Sequence, residues 1–147
     1  MEFGQLDLWD TWSDIHDQFQ PMARWAPFSG PGGFADADMP PLGRIGIRAE
    51  RGADRMSLLT EPEQRTMMTL WSVSRSPLFV GGDLPTSNPE TISLLTNAVV
   101  LDVNSRSEKN TEHCGNRTIL CGPLSWTDAL WLPFSPWGML RWRSSCR

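Results

Sequence analysis

Residues 60–84, TEPEQRTMMTLWSVSRSPLFVGGDL, contain the signals that decide the fold class of this 147-residue chain. Thr60 and Glu63 have the spacing of a capping box, and Pro62 falls in the first helical turn, where its missing N–H is harmless. Apolar residues at helical spacing then share one face with a serine: Met67, Leu70, Trp71 and Ser74. The stretch therefore predicts a helix whose body ends at residue 75, before a Ser-Pro pair.

The apolar run that follows this helix, Pro77–Val80, is short and is bounded by two glycines. A run of this length between turn signals has the profile of a strand buried on both faces. Asp83 comes at the carboxyl end of the run. An acid in that place either belongs to the catalytic face of a parallel barrel or caps the next helix, and both interpretations stay open.

Downstream of Asp83, a second helix is predicted to begin at Asn88-Pro89, a capping residue followed by proline at the first helical position. We expect this helix to run through Thr96 and to end with Asn97 in the left-handed conformation. Val99–Val103 is another apolar run, which we interpret as the next strand. This order of helix, strand, acid, helix and strand is typical of the α/β class.

Upstream, residues 10–26 carry apolar side chains at the spacing of one helical face, namely Trp12, Ile15, Phe19, Met22 and Trp25. Asp10 is the expected N-cap of this helix. Pro21 predicts a kink or a break near Gln20, because proline removes a helical hydrogen bond.

The helix is followed by a turn-forming loop, residues 29–33, which leads into the acidic segment Phe34–Met39. Residues 43–57 are rich in arginine and glycine and are expected to form a long exposed loop. Their arginines are expected to pair with Glu50 and Asp54 rather than to bind phosphate.

Composition excludes several classes of protein. The chain is 39% hydrophobic and 20% charged, which are values of a globular protein, and its net charge of −4 offers no electrostatic footprint for nucleic acid. No run of 18 apolar residues predicts a membrane span, and the first residues lack the pattern of a signal peptide. The length is also well below the roughly 250 residues of a complete (β/α)8 barrel.

The composition changes after about residue 107. All three cysteines and four of the eight tryptophans lie beyond residue 113, among prolines, glycines and serines without a sustained hydrophobic period. Two interpretations stay open, a small irregular extension or a segment read out of frame. The cysteines lack zinc-ligand spacing, and His16 and His113 are isolated, so no metal site or cofactor is predicted.

Five segments, in this order, resemble the α-galactosidase (melibiase) family of glycoside hydrolases. They are DLWDTW (7–12), GPGGFADADM (30–39), LWSVSRSPLFVGGDL (70–84), LLTN (94–97) and VLDVN (100–104). The resemblance implies an α/β fold, the C-terminal part of a (β/α)8 TIM barrel with about strands 6 to 8 and their helices, in residues 1–107. Residues 108–147 stand where a β-sandwich would begin and form an aberrant or out-of-frame tail.

The resemblance also implies a site. Asp7 would be the acid/base, Asp38 would hydrogen-bond sugar hydroxyls with Met39 beside it, and Asp36 would bind substrate or hold the loop. The reaction would be retaining hydrolysis of a terminal α-linked galactose, with a carbohydrate as the partner. The family's nucleophile segment, of K-Y-D type, does not occur in the 147 residues.

The chain is therefore expected to be a truncated member that is inactive alone. Two other functions stay open, a non-catalytic carbohydrate-binding remnant or a partner that completes the barrel of another chain. The resemblance does not choose among α-galactosides, α-N-acetylgalactosaminides and β-L-arabinopyranosides. It also leaves the localisation and the oligomeric state open.

Overall fold

The computed structural model describes residues 10–47, 53–112 and 120–121. In these residues the helices are α1 (Trp12–Asp17), α2 (Phe19–Trp25), α3 (Glu61–Ser74), α4 (Pro89–Leu95) and α5 (Ala98–Arg106). The strands are β1 (Arg44–Ile45), β2 (Arg55–Met56), β3 (Thr111–Glu112) and β4 (Leu120–Cys121). Single 3-10 turns lie at Ala26–Phe28 and Leu84–Thr86. The described residues thus combine helices with short strands.

The core is built around α3, because its apolar residues recur at helical spacing. This helix buries Met67, Met68, Leu70 and Trp71. They belong to one cluster with buried side chains from α1, α2, α5 and the loops between them, namely Ile15, Met22, Ala37, Leu42, Leu59 and Val100. The predicted buried face of α3 is confirmed for its apolar members, whereas Ser74 is only partly buried.

Both predicted start signals of α3 are confirmed. The backbone N–H and the hydroxyl of Thr60 each donate to a carboxylate oxygen of Glu63 at 2.7 Å. Pro62 stands in the first turn of the helix. The helix ends at Arg75, which adopts the left-handed conformation with φ 56°. The local signals of the sequence were sufficient here because each acts within four residues of the helix end.

The upstream helix is divided, and its predicted cap is wrong. The break lies at Gln18, between α1 and α2, rather than near Gln20. Thr11 caps α1, with its N–H donating to Asp14 Oδ2 at 2.9 Å, so that Asp10 is not the cap. Pro21 lies in the first turn of α2, where the missing N–H breaks no helical bond, and it therefore does not interrupt that helix.

The predicted strand at Val99–Val103 is a helix. The side chain of Asn97 accepts hydrogen bonds from the N–H groups of Val99 and Val100, at 3.0 and 3.2 Å. Asn97 therefore begins α5, with φ −64°, and does not end α4 in the left-handed conformation as expected. The spacing of the buried Val100 and Val103 fits one helical face, and a short apolar run does not distinguish this from a strand.

The predicted strand at Pro77–Val80 is not part of a ladder in the described residues. Its Phe79 is 70% exposed, so the expectation that both faces are buried is wrong for the structure described. The residues after this run contact the segment that contains Pro40, because the N–H of Gly81 donates to Pro40 O at 3.0 Å. Residues 37–42 and 77–83 therefore lie side by side.

Residues 43–57 were expected to form a long exposed loop, and this expectation is only partly right. β1 and β2 pair antiparallel, with Arg44 opposite Met56 and Ile45 opposite Arg55. Ile45 is buried, which explains why the segment folds back on the core. We call the described residues 43–47 and 53–58, which contain this pair of strands, the hairpin. The other described pair, β3 with β4, is also antiparallel.

Candidate functional site

The candidate site is the acidic loop Asp36–Met39. Asp36 Oδ1 accepts a hydrogen bond from the N–H of Asp38 at 2.9 Å, and Asp38 Oδ1 accepts one from the N–H of Met39 at 2.7 Å. Asp38 has φ 76°, a left-handed conformation that aspartate adopts more readily than most residues. The three predicted substrate-contacting residues are thus brought together in one turn.

The backbone of this loop is held by hydrogen bonds from α3 and from the residues that follow it. The indole N–H of the buried Trp71 donates to the carbonyl oxygen of Asp38 at 2.7 Å. The hydroxyl of Ser76, also buried, accepts a hydrogen bond from the N–H of Ala37 at 2.9 Å. Since each of these partners is fully buried, the backbone at Ala37 and Asp38 has little freedom to move.

Arg75 fixes the residues just before the loop. Its guanidinium carbon lies 4.1 Å from the centre of the Phe34 ring, within cation–π range. The same side chain donates hydrogen bonds to carbonyls at the C-terminal end of α5, those of Asn104 at 2.9 Å, Ser105 at 2.6 Å and Ser107 at 3.0 Å. A cation suits this position because helix C-termini carry partial negative charge.

The side chains of the loop point away from this buried support. Asp36, Asp38 and Met39 are exposed, whereas Ala37 and Pro40 are buried. Ionised carboxylates have several acceptor sites each, so both aspartates keep acceptor capacity beyond the loop's own hydrogen bonds. Such an arrangement can bind a ligand rich in hydroxyl groups, with the Met39 side chain offering an apolar contact beside them.

Asp7, the predicted acid/base, lies outside the described residues, and so does Trp9. Trp12, five residues beyond Asp7, is 41% exposed on α1. The geometry of Asp7 relative to the acidic loop therefore remains a prediction from the sequence.

A buried ion pair between the start of α1 and β2 does not follow from the sequence pattern. The carboxylate of Asp10 is fully buried and accepts three hydrogen bonds, from Arg55 Nη1 at 2.5 Å, Arg55 Nη2 at 2.8 Å and the N–H of Leu58 at 2.8 Å. Burial alone would raise the pKa of Asp10, but the hydrogen bonds and the charge of Arg55 together hold this pKa below its ordinary value. No local pattern could have revealed a pair 45 residues apart.

The hairpin contains a second ion pair, which is exposed. Arg44 Nε lies 2.8 Å from Asp54 Oδ1, and Arg44 Nη2 lies 2.5 Å from Asp54 Oδ2. The expected pairing of the hairpin arginines with acids is thus confirmed for Arg44 and Asp54, while Glu50 lies outside the described residues. The hydrogen bond and charge of each partner raise the pKa of Arg44 and lower that of Asp54.

Asp83 stands at the N-cap position of a 3-10 turn, but its side chain makes no hydrogen bond to the backbone of that turn. It precedes the 3-10 turn at Leu84–Thr86, and its Oδ2 accepts a hydrogen bond from the hydroxyl of Thr86 at 2.5 Å. Its backbone N–H donates to Arg44 O at 2.7 Å, which ties it to β1. The next helix, α4, is capped by Asn88 instead, and the position of Asp83 on a barrel's catalytic face stays a prediction.

Other features of the described residues lie apart from the acidic loop. Two cavities of about 420 Å³ are present, and neither is lined by Asp36, Asp38 or Met39. One lies between the end of α2, the Gly30-Pro31 turn and the end of α3. In the part of the chain that is described, no cluster of three or more metal-ligating side chains occurs. Nor is any described helix long and apolar enough to cross a bilayer.

Comparison with known proteins points to one family. The sequence model of the family described as Alpha galactosidase A (Melibiase_2) matches residues 3–106. The chain is 28% identical over 123 residues to an alpha-galactosidase from Oryza sativa subsp. japonica, an alignment that covers 81% of this chain and 27% of that protein. It is 30% identical over 112 residues to an alpha-N-acetylgalactosaminidase from Rattus norvegicus, covering 69% and 24%.

A solved structure shows the same relationship. A variant of a glycoside hydrolase family 27 β-L-arabinopyranosidase from Geobacillus stearothermophilus, in complex with arabinose, superposes with a TM-score of 0.69 at 45% sequence identity. That match covers 75% of this chain and 26% of the solved one. The chain thus spans about a quarter of the length of these relatives.

Proposed function

Because this chain belongs to the Alpha galactosidase A family of glycoside hydrolases, we propose that it carries one half of a retaining glycosidase site. The substrate class would be a terminal α-linked galactoside. Asp7 would be the acid/base and the loop Asp36–Met39 would bind the sugar. The observation that carries this proposal is the geometry of Asp38, whose exposed carboxylate stands on a left-handed backbone held by Trp71.

The conformation of Asp38 supports a binding function for a physical reason. A residue other than glycine in the left-handed region is strained, and such strain persists only where the surroundings enforce it. Here the surroundings are the buried Trp71 and Ser76, which hold the backbone while leaving the carboxylates of Asp36 and Asp38 free to accept hydrogen bonds. Sugar hydroxyls are donors that match acceptors fixed in this way.

The mechanism assigns two steps to Asp7. Retaining hydrolysis uses two carboxyl groups about 5–5.5 Å apart, one as nucleophile and one as acid/base. Asp7 would donate its proton to the leaving oxygen while the glycosyl-enzyme forms, and then take a proton from the water that releases the sugar. The acid must be protonated at the working pH, so its pKa must be raised by its surroundings. Asp38 and Asp36 would hold the sugar hydroxyls throughout, with Met39 against its apolar face.

These 147 residues contain no K-Y-D-type nucleophile segment. A double displacement needs both carboxyl groups, so we expect the 147-residue chain, assayed by itself, to bind a galactoside without hydrolysing it.

The position within the family fold is part of the same proposal. Residues 1–107 would supply about strands 6 to 8 of the (β/α)8 barrel, with Asp7 at the end of the sixth strand, Asp38 after the seventh and Asp83 after the eighth. The contact of residues 37–42 with residues 77–83 supports this placement, as does the end of the family match at residue 106. Residues 108–147 would be an out-of-frame tail, and the nucleotide sequence downstream would test this by encoding a sandwich-like domain in another frame.

Turnover and binding test the proposal separately. Incubation with a nitrophenyl α-galactoside is expected to release no nitrophenol above an Asp7→Asn variant, and turnover above that variant would contradict the expected inactivity. Calorimetry with galactose is expected to show binding that falls about tenfold or more in Asp38→Asn, which loses a charged acceptor. Asp17→Asn, on the exposed side of α1, is the matched control and should bind like the wild type. Equal affinities of all three proteins would refute the sugar-binding loop.

One observation favours a second candidate function, completion of another chain's barrel. Phe79 lies in the apolar run Pro77–Val80 and is 70% exposed, and an uncovered apolar strand in a partial barrel would be a template for association. Light scattering at high concentration separates this candidate from the first, because a monomer would count against it while leaving galactose binding unaffected.

A further inference from the structure

The buried carboxylate of Asp10 joins two parts of the chain that are distant in sequence. It stands just before α1, and all three of its hydrogen bonds come from residues 55–58 at the end of the hairpin. Two of these bonds come from one guanidinium in a bidentate arrangement, which restricts orientation as well as distance. The end of the hairpin is therefore fastened to the start of α1.

The other end of the hairpin continues directly from the acidic loop. The N–H of Ser57 donates to Gly43 O at 2.8 Å, so the fastened end of the hairpin also holds the residue just before β1. From Gly43 the chain runs back to Met39 through Leu42, which is fully buried, and Pro40, which accepts a hydrogen bond from Gly81. Asp10 is thus linked to the acidic loop by hydrogen bonds as far as Gly43 and by four residues of anchored chain from there.

From these contacts we propose that Asp10 and Arg55 are positioning residues. They fix where the loop Asp36–Met39 lies relative to the chain just before α1, where Asp10 follows the proposed acid/base Asp7 by three residues. The inference deepens the proposed sugar-binding function and rests on it for the identity of the ligand. Trp71 in α3 and Ser76 just after it hydrogen-bond the backbone of the loop directly. The Asp10–Arg55 pair acts on the loop through the hairpin, which follows it in the chain. Neither Asp10 nor Arg55 is proposed to touch the sugar.

The exposed pair in the same hairpin offers a matched control. Arg44 and Asp54 also form a bidentate pair, but water and salt screen it because both side chains are partly exposed, at 35% and 42%. Asp54→Asn therefore removes a charge from the hairpin without releasing it from α1. Asp10→Asn keeps the size of the side chain and removes the charge that the two Arg55 nitrogens contact.

Amide hydrogen exchange on the full chain tests the positioning directly. In Asp10→Asn we expect the amides of Leu42, Ser57 and Asp83 to exchange about tenfold faster, because local opening of the hairpin becomes easier. The amide of Leu101, which donates within α5, should keep its rate. Asp54→Asn should change none of these rates. If these three amides exchange at the wild-type rate in Asp10→Asn, or if Leu101 shows an equal rise, the inference is overturned.

A galactose titration, at a temperature where every variant is folded, supplies a readout that stability alone does not move. We expect affinity to fall about tenfold in Asp10→Asn and to stay within about twofold of wild type in Asp54→Asn. Equal affinity in Asp10→Asn and wild type would overturn the inference. If Asp10→Asn does not fold, Arg55→Lys serves instead, because it keeps the charge and loses the bidentate geometry. A wild type that binds no galactose refutes the proposed function, whereas the exchange rates still decide the positioning.

Discussion

Two ion pairs that involve the same hairpin differ in how far water is excluded from them. Asp10 and Arg55 meet where the carboxylate is fully buried, and Arg44 and Asp54 meet where both side chains remain partly exposed. A buried carboxylate that loses its partner cannot turn to water, whereas an exposed one can. We call Asp10–Arg55 the inner pair and Arg44–Asp54 the outer pair. We expect the inner pair to stabilise the fold around the acidic loop and the outer pair to contribute little to the free energy of unfolding.

The largest effect is expected when the inner pair loses its cation. Arg55→Met leaves the Asp10 carboxylate buried and uncompensated, which costs about 3–5 kcal/mol for a fully buried pair. Because the Arg55 side chain is 30% exposed, we expect a loss of about 3 kcal/mol in the free energy of unfolding. Urea unfolding at pH 7 measures it. A loss no larger than that of Asp54→Asn would abolish the distinction between the two pairs.

The next largest loss of stability is expected from a methyl group at Gly82, because it would clash with the backbone just before the hairpin. A Cβ at Gly82 would lie 1.8 Å from the carbonyl oxygen of Leu42, a backbone atom next to Gly43 that cannot turn aside. We expect Gly82→Ala to destabilise the chain by about 1–3 kcal/mol. Gly30→Ala is the control, since a Cβ there meets nothing within 4 Å. Thermal unfolding of the two variants should differ clearly, and equal midpoints would contradict the close packing of residues 42 and 82.

The dependence of the free energy of unfolding on pH should reveal the inner pair. The pKa of Asp10 is lowered in the folded chain, because its bonds to Arg55 and Leu58 outweigh the effect of burial. A lowered folded pKa contributes stability that is present above the unfolded pKa, about 3.9, and is lost as the pH falls through the folded value. Urea unfolding at pH 6, 4 and 3 should therefore show a steeper loss for wild type than for Asp10→Asn. Parallel pH curves would show that Asp10 is not paired as described.

The smallest effect belongs to the outer pair. We expect Asp54→Asn to leave the midpoint of urea unfolding unchanged within error, because exposed pairs are screened and hold two long side chains at an entropic cost. Repeating the measurement in 0.1 M and 1 M salt sharpens the comparison. The difference between wild type and Asp10→Asn should persist in both salts, and its disappearance at 1 M salt would place the inner pair in the same class as the outer one.

The helix ends were predictable from the sequence because their signals are local. Thr60 with Glu63 and Asn88 with Pro89 mark the starts of α3 and α4, and the structure confirms both. Each signal satisfies backbone groups within one turn of itself. The acidic loop could also be identified, because its glycines and aspartates lie together in the chain. What the sequence could not give is the left-handed turn at Asp38 and its bond to Trp71, 33 residues away.

The wrong predictions have physical reasons of their own. Val99–Val103 is apolar enough for a strand, and only the cap at Asn97 and the burial of Val100 with Val103 make it a helix. Asp10 has the residue type of an N-cap, but Arg55 and Leu58 bind its carboxylate, and Thr11 caps α1 in its place. In the first case a local cap together with burial of one face, and in the second a tertiary ion pair, decide between alternatives that the sequence leaves nearly equal.

The most direct test of the sugar-binding loop is a nuclear magnetic resonance titration of the ¹⁵N-labelled chain with galactose. We expect the amide resonances of Asp36, Asp38 and Met39 to move with the sugar concentration, and those of α4 to stay in place. Asp38→Asn should require about tenfold more sugar for the same shift. Shifts confined to the cavity beside Ser29 and Arg75, or no shifts at all, would contradict the assignment of this loop as the sugar site.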